Sequence, residues 1–280
     1  MAGPVDGIPA GTVVRDVREI LPDTPILRYQ SGFGAGSPSL YSNLFRFALL
    51  HQHGGWWVDL DVVALRPFPS AANPVLGLVR SRHGPSRAGS AVLGLPAKSE
   101  FTACCLEILR LHDPSAARWG ELGPGPVSQV AKELTMERFM RPPETFFPVE
   151  TRRFWDLIRP GPLWPEAVGV HLWQNLWRHH GIDPDRAYPA GSPYEQLLRR
   201  YHPEAAAAAR APAHVPLLLL RSIPRRARMW VQSRRRARRG PVRPLQVPLR
   251  PSIVLEPRGG LPVRLEPLGR GQGEERMPRL

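Results

Sequence analysis

The sequence predicts an α/β layered domain followed by an arginine- and proline-rich tail, and three observations carry that prediction. Segments of helical character alternate with single short runs of strand character, the pattern of helices layered on a sheet. The apolar fraction, 42%, is enough for a packed core. The charge is unevenly spread: residues 205–280 hold 17 arginines against 4 glutamates, whereas residues 1–204 hold 21 basic and 20 acidic side chains. The formal charge of +14 is thus a property of the tail and says nothing about what the body binds. We place the domain at residues 1–204. Residues 205–280, with 11 prolines, arginine clusters and no periodic pattern, read as a mostly disordered tail.

Within the body, residues 12–21 (TVVRDVREIL) carry a short helical period that Pro22 and Pro25 stop. Leu40 to His53 contains no Gly or Pro; Ser39 or Ser42 can cap its start and Gly54-Gly55 ends it. Asn43, Arg46, Leu50 and His53 recur at helical spacing and form the one partly polar stripe of this helix. The next ten residues, WWVDLDVVAL, read as a single strand closed by Arg66-Pro67. Residues 75–80 and 90–95 are further strand runs, 100–112 a helix, and 120–134 a Gly/Pro turn opening a helix. Near 168–177, VGVHLWQNLW reads as a strand end followed by aromatic-rich structure. No apolar run approaches the roughly 18 residues of a membrane span, and the N-terminus lacks the basic and apolar regions of a signal peptide. The two cysteines, Cys104 and Cys105, are neighbours, a spacing that suits buried reduced thiols better than a bridge or a metal motif.

Chemistry concentrates in residues 41–69. On one continuous strand Asp59 and Asp61 share a face, with Leu60 pointing the other way into the sheet. Two carboxylates side by side on so apolar a strand repel one another, and a divalent cation removes the conflict. Hard oxygen ligands suit Mn²⁺ or Mg²⁺, ions that keep positions open for substrate phosphates.

Over residues 42–61 the chain reads Ser42-Asn43-Leu44-Phe45-Arg46-Phe47, then Leu50, then Gly54-Gly55-Trp56-Trp57-Val58-Asp59-Leu60-Asp61. In residue types and spacing this resembles the hallmark of the DXD-motif glycosyltransferases of family 32, which include α-1,4-glycosyltransferases and capsular-polysaccharide enzymes. The resemblance implies a GT-A-like, Rossmann-like domain that transfers a sugar, with retention, from a UDP- or GDP-sugar to a glycan or lipid-linked acceptor. It implies a Mn²⁺ or Mg²⁺ ion bound by Asp61, with Asp59 on the ribose or the metal shell. Asn43 and Arg46 would hydrogen-bond the donor sugar, Asn43 standing where many relatives carry an aspartate. Gly125-Pro126 is similar to the family's turn before a helix, and His171-Leu172-Trp173…Trp177 to its late H-x-W…W, which makes His171 a candidate third metal ligand. It supplies no side-chain nucleophile, so no residue is assigned a covalent role. In the family a nucleotide-binding strand and helix come before the region matching residues 7–22, so this resemblance also implies an N-terminally truncated domain.

Other readings differ in class. A glycoside hydrolase also uses two carboxylates, but on either side of the bond to be cut, whereas Asp59 and Asp61 approach from one side. A truncated, inactive homologue is a further possibility on this sequence. Nine arginines between Arg221 and Arg239 could bind nucleic acid, yet Trp230 is the tail's only aromatic residue to stack on a base. The same arginines beside Leu217–Leu220, Ile223, Met229, Trp230 and Val231 point instead to peripheral contact with the inner face of the plasma membrane by a cytoplasmic enzyme.

Overall fold

The computed structural model describes residues 8–9, 11–32, 34–81 and 85–214. Helix α1, Ser39–His53, matches the predicted span, and its start is closed differently. Neither Ser39 nor Ser42 caps it; Pro38 precedes the first turn and the Ser37 hydroxyl accepts the Ser39 N–H at 3.2 Å. At the other end Gly54 turns the chain with φ 65° and donates to the Leu50 carbonyl. A side chain there would stand 2.4 Å from the Ala97 nitrogen, so glycine is required by both conformation and space. Three of the four residues of the predicted polar stripe lie inside the protein, Asn43, Arg46 and Leu50, while His53 at the helix end is exposed.

The single strand predicted from Trp56 to Leu65 does not form. Strand β1, Gly55–Val58, ends where the Asp59 N–H donates to the Ala91 carbonyl. The Val62 N–H then closes a turn onto the Asp59 carbonyl at 3.0 Å, and β2, Val62–Ala64, departs to a different sheet. Leu60, expected to point into the sheet, is fully exposed at the tip of that turn.

Strands β3, Val75–Val79, and β4, Arg87–Leu95, join β1 and the two-residue β5, Met140–Arg141, in a sheet of order β1-β4-β3-β5. It is mixed, with β1 and β3 antiparallel to β4, and β5 parallel to β3. Strand β6, Gly169–His171, pairs antiparallel with β2, setting Val62 opposite His171. Helices α2, Glu100–Arg110, and α3, Pro124–Glu133, pack with α1 on one face of the larger sheet. There Leu76, Leu93 and Leu95 meet Phe47, Phe101, Ile108 and Val130. The opposite face carries Val75 and Val92 against Phe146 and Phe147, beside the short helix α4, Pro143–Phe146. This is the layered α/β arrangement the alternation of elements predicts.

A third apolar cluster, built from residues 149–188, packs around α5, Gln174–His180. Helices α6, Pro193–Tyr201, and α7, Pro203–Ala207, follow.

One expectation of organisation is corrected. Residues 12–21 form one 3-10 turn, Val17–Glu19, capped by Asp16 and Glu19, because Val13, Val14 and Val17 have no apolar surface to pack on. The described residues run ten positions past 204, to His214, and pack on the domain. The Ala187 N–H donates to the Ala211 carbonyl (3.0 Å), Ala213 donates back to Ala187 (2.8 Å), and Arg210 Nη2 donates to the buried carboxylate of Glu195 (2.7 Å). The remainder of the predicted tail, and with it the membrane-contact residues, lies outside the described residues. Cys104 and Cys105 are buried, unbridged thiols on α2, and burial pushes Cys105 well above the ordinary thiol value. No helix among the described residues is long and apolar enough to cross a membrane.

Candidate metal centre

The turn between β1 and β2 brings Asp59 and Asp61 to the seam between the two sheets, and the β2–β6 pairing delivers His171 to the same place. One ligand atom from each of Asp59, Asp61 and His171 lies within 4.8 Å of the other two. Their convergence therefore comes from a tight turn and a cross-strand partner, not from alternation along one strand.

Asp59 is held from the α1 side. Its Oδ1 accepts Arg46 Nη2 at 2.9 Å and the Trp57 indole N–H at 2.6 Å, while the guanidinium lies 4.9 Å from the Trp57 ring centroid. Arg46 is only 4% exposed, which rules out a solvated surface cation. Burial pulls its guanidinium below the ordinary value, and the Asp59 carboxylate opposes that pull. Arg46 Nη1 donates to Asn43 Oδ1 at 2.8 Å, and Asn43 Nδ2 donates to the Tyr29 hydroxyl at 3.4 Å. The predicted donor-side pair is thus one buried hydrogen-bonded unit ending on Asp59.

Asp61 is held from the other side. Its Oδ1 lies 3.1 Å from His171 Nε2, and its Oδ2 accepts the Gln174 N–H at 2.9 Å. Its backbone carbonyl accepts the Leu172 N–H at 2.7 Å, so the chain after β6 wraps this aspartate. Burial pushes the Asp61 carboxyl up, but the His171 and Gln174 hydrogen bonds outweigh it and hold the group below the usual carboxylate value. The His171 ring sits edge-on between Trp173 (4.1 Å) and Phe147 (5.7 Å). Trp173 takes a left-handed conformation, φ 58°, at the corner that lets both His171 and Gln174 face Asp61.

Gly125-Pro126 lies inside the first turn of α3, and the glycine that approaches the site is Gly123, just before it. A side chain at Gly123 would come within 2.8 Å of Asn43 Oδ1. The sequence reading missed Tyr29, Trp57, the Gln174 N–H and Gly123. Trp57 lay inside the quoted motif, Gly123 in the Gly/Pro turn at 120–134 and Gln174 in the segment 168–177, while Tyr29 left no local signal.

Comparison with curated proteins places these residues in context. The chain is 25% identical over 210 residues to human α-1,4-N-acetylglucosaminyltransferase, covering 67% of this chain and 58% of that protein. It is 29% identical over 180 residues to human lactosylceramide 4-α-galactosyltransferase, covering 56% of this chain and 49% of that one. Both named relatives are glycosyltransferases. The chimpanzee lactosylceramide 4-α-galactosyltransferase matches to the same extent as the human one. The chain spans about half the length of the curated relatives it matches. No family model matches the sequence, and no solved structure matches it.

Proposed function

We propose that this domain is a metal-dependent, retaining glycosyltransferase that takes a UDP- or GDP-sugar and passes the sugar to a glycan or lipid-linked acceptor. The observation that carries the reading is the convergence of Asp59, Asp61 and His171 beside the buried Arg46–Asn43 unit. Similarity to two named hexosyltransferases supports the reaction class. A GT-A-like fold is compatible with the mixed sheet and its flanking helices.

The donor set fits a divalent cation. Two carboxylates and an imidazole within 4.8 Å of one another suit Mn²⁺, which accepts nitrogen more readily than Mg²⁺ does. Asp61 and His171 would hold the ion directly, with Asp59 beside it; when bound, the ion supplies charge neutralisation for a leaving nucleoside diphosphate. The chain's own groups do the positioning. Arg46 and Trp57 occupy Asp59 Oδ1, leaving Oδ2 for the ion or the donor ribose. The Gln174 N–H fixes Asp61 in the same way. We assign no side-chain nucleophile, so rate enhancement rests on orientation and electrostatics. A hydrolase geometry is disfavoured because the two carboxylates gather at one point with a histidine instead of flanking a bond.

The test is donor turnover. The protein, with any longer natural form in parallel, is incubated with UDP- and GDP-sugars in the presence of Mn²⁺ or of a chelator. Metal-dependent release of UDP or GDP that Asp61→Ala abolishes is the expected result. Release that persists undiminished in chelator, or in Asp61→Ala, would overturn the assignment.

A further inference from the structure

Three chain segments meet at Asn43, and the part played by Tyr29 among them follows from the geometry. The segment around Tyr29 is tied back on itself, the Tyr29 N–H donating to the Ser37 carbonyl and Gly36 to the Tyr29 carbonyl. The phenol ring, 2% exposed, leans on Trp119 at 5.2 Å between centroids. Its hydroxyl accepts Asn43 Nδ2 at 3.4 Å, and burial raises its pKa, so it stays a neutral phenol. On the other side stands Gly123, whose lack of a side chain leaves the space that Asn43 Oδ1 occupies: a Cβ there would come within 2.8 Å of it.

An amide can face two ways, but here Oδ1 must face Arg46, because a guanidinium only donates. Asn43 Nδ2 is then a buried donor, and the Tyr29 oxygen is its partner. Without that partner Asn43 Nδ2 is a buried donor with no acceptor, a cost that the side chain escapes only by moving away from this position. Arg46 Nη1 would then lose its anchor, and the Nη2 bond to Asp59 would loosen with it.

We propose that Tyr29 is a positioning residue of the site. Its hydroxyl fixes the Asn43 amide, which orients Arg46 so that the guanidinium holds Asp59. The functional consequence rests on the reading of Asp59 as part of the metal and donor site; the orientation of Arg46 does not, and the two are measured separately.

Tyr29→Phe keeps the ring and deletes only the hydroxyl. The first readout is nuclear magnetic resonance of the Arg46 side chain, assigned by its loss in Arg46→Lys, which reports how freely the guanidinium rotates. The second is Mn²⁺-dependent UDP binding by calorimetry. Tyr29→Phe should free Arg46 and weaken UDP binding by about tenfold, the lower end of the range for groups that act through a ligand's support. In an Asn43→Ala background the same change should have no further effect, since the link is already cut. Gly123→Ala, which crowds Asn43 from the opposite side, should also free Arg46, and it keeps the test open if Tyr29→Phe folds poorly. An Arg46 signal as restricted in Tyr29→Phe as in wild type would overturn the proposal, whatever Gly123→Ala does. So would equal losses of UDP affinity from Tyr29→Phe with and without Asn43. Wild-type protein that binds no UDP with Mn²⁺ would sink the glycosyltransferase reading, while the Arg46 measurement would still decide the role of Tyr29.

Discussion

Asp59 and Asp61 are two residues apart, yet they are held by opposite means. Asp59 is fixed by a polar unit buried within the α1 layer: Arg46, Asn43, Tyr29 and the Trp57 indole. Asp61 is fixed by the far cluster, through an imidazole wedged between aromatic rings and one backbone N–H. The difference teaches where each support is vulnerable. The α1 side depends on buried polar groups that need one another, so deleting one strands the rest. The β6 side depends on ring packing and a strained corner at Trp173, so it tolerates the loss of a polar group but not of shape.

The largest effect expected is on the Asp61 side. Asp61→Ala should lower donor turnover by about a hundredfold or more, the range seen when a metal ligand or an electrostatic stabiliser is lost. Melting should change less than turnover, since losing the Gln174 and His171 hydrogen bonds is offset by relief of the repulsion between Asp61 and Asp59. Arg46→Ala should behave differently, losing both activity and stability. Removing a buried cation leaves a cavity and strands Asn43 Oδ1, and the partly exposed Asp59 softens the penalty, so about 2 kcal/mol of stability should go. For a domain of this size that is a fall in melting temperature of roughly 4–8 °C. Equal melting of wild type and Arg46→Ala would erase the contrast between the two supports.

How much of this was legible in the sequence depends on how local each feature is. Helix α1, its glycine stop and the pairing of Asp59 with Asp61 could be read because their signals lie within 20 consecutive residues. The reason the aspartates converge could not. Residues 56–65 have the composition of one strand, and only β6, more than a hundred residues later, draws Val62 onward into a second sheet. The N-terminal run has a helical period, but no packing partner supports it and it closes as a single turn. Tyr29 and Gly123 are ordinary residues in loops, and only the folded chain shows that one accepts a hydrogen bond from Asn43 and the other leaves it room. At the other end, composition changes near 205, but Arg210 has a buried partner in Glu195 that composition cannot reveal.

That partner gives a further test of the far cluster. Burial pushes the Glu195 carboxyl up, but the Arg210 and Tyr188 hydrogen bonds hold it below its ordinary value of 4.5. A depressed folded-state pKa adds stability that is fully present above the unfolded value and is lost as pH falls through the folded one. Wild-type melting temperature should therefore drop below about pH 4.5, and Glu195→Gln should flatten that drop while lowering the plateau above it. Parallel curves would show that the Glu195–Arg210 pair adds nothing there.

The smallest effect concerns the chain end. Truncation after His214 should leave melting and turnover of soluble substrates unchanged, whereas truncation after Glu204 should lower the melting temperature by several degrees, because Ala211 and Ala213 pair with Ala187. If the arginines beyond residue 214 serve a membrane, at roughly 1 kcal/mol each near an anionic surface, the longer truncation product should still lose sedimentation with anionic vesicles at low salt. Equal sedimentation of full-length and truncated protein would remove the membrane role.

The central claim is that one cation is shared by the two supports, and Mn²⁺ spectroscopy tests it most directly. Bound Mn²⁺ should show one site per chain and pulsed-resonance coupling to an imidazole nitrogen. His171→Ala should abolish the coupling, and Asp61→Ala the binding itself. Mn²⁺ bound equally well by the Asp61→Ala and His171→Ala proteins, or with no nitrogen coupling in the wild type, would contradict the account.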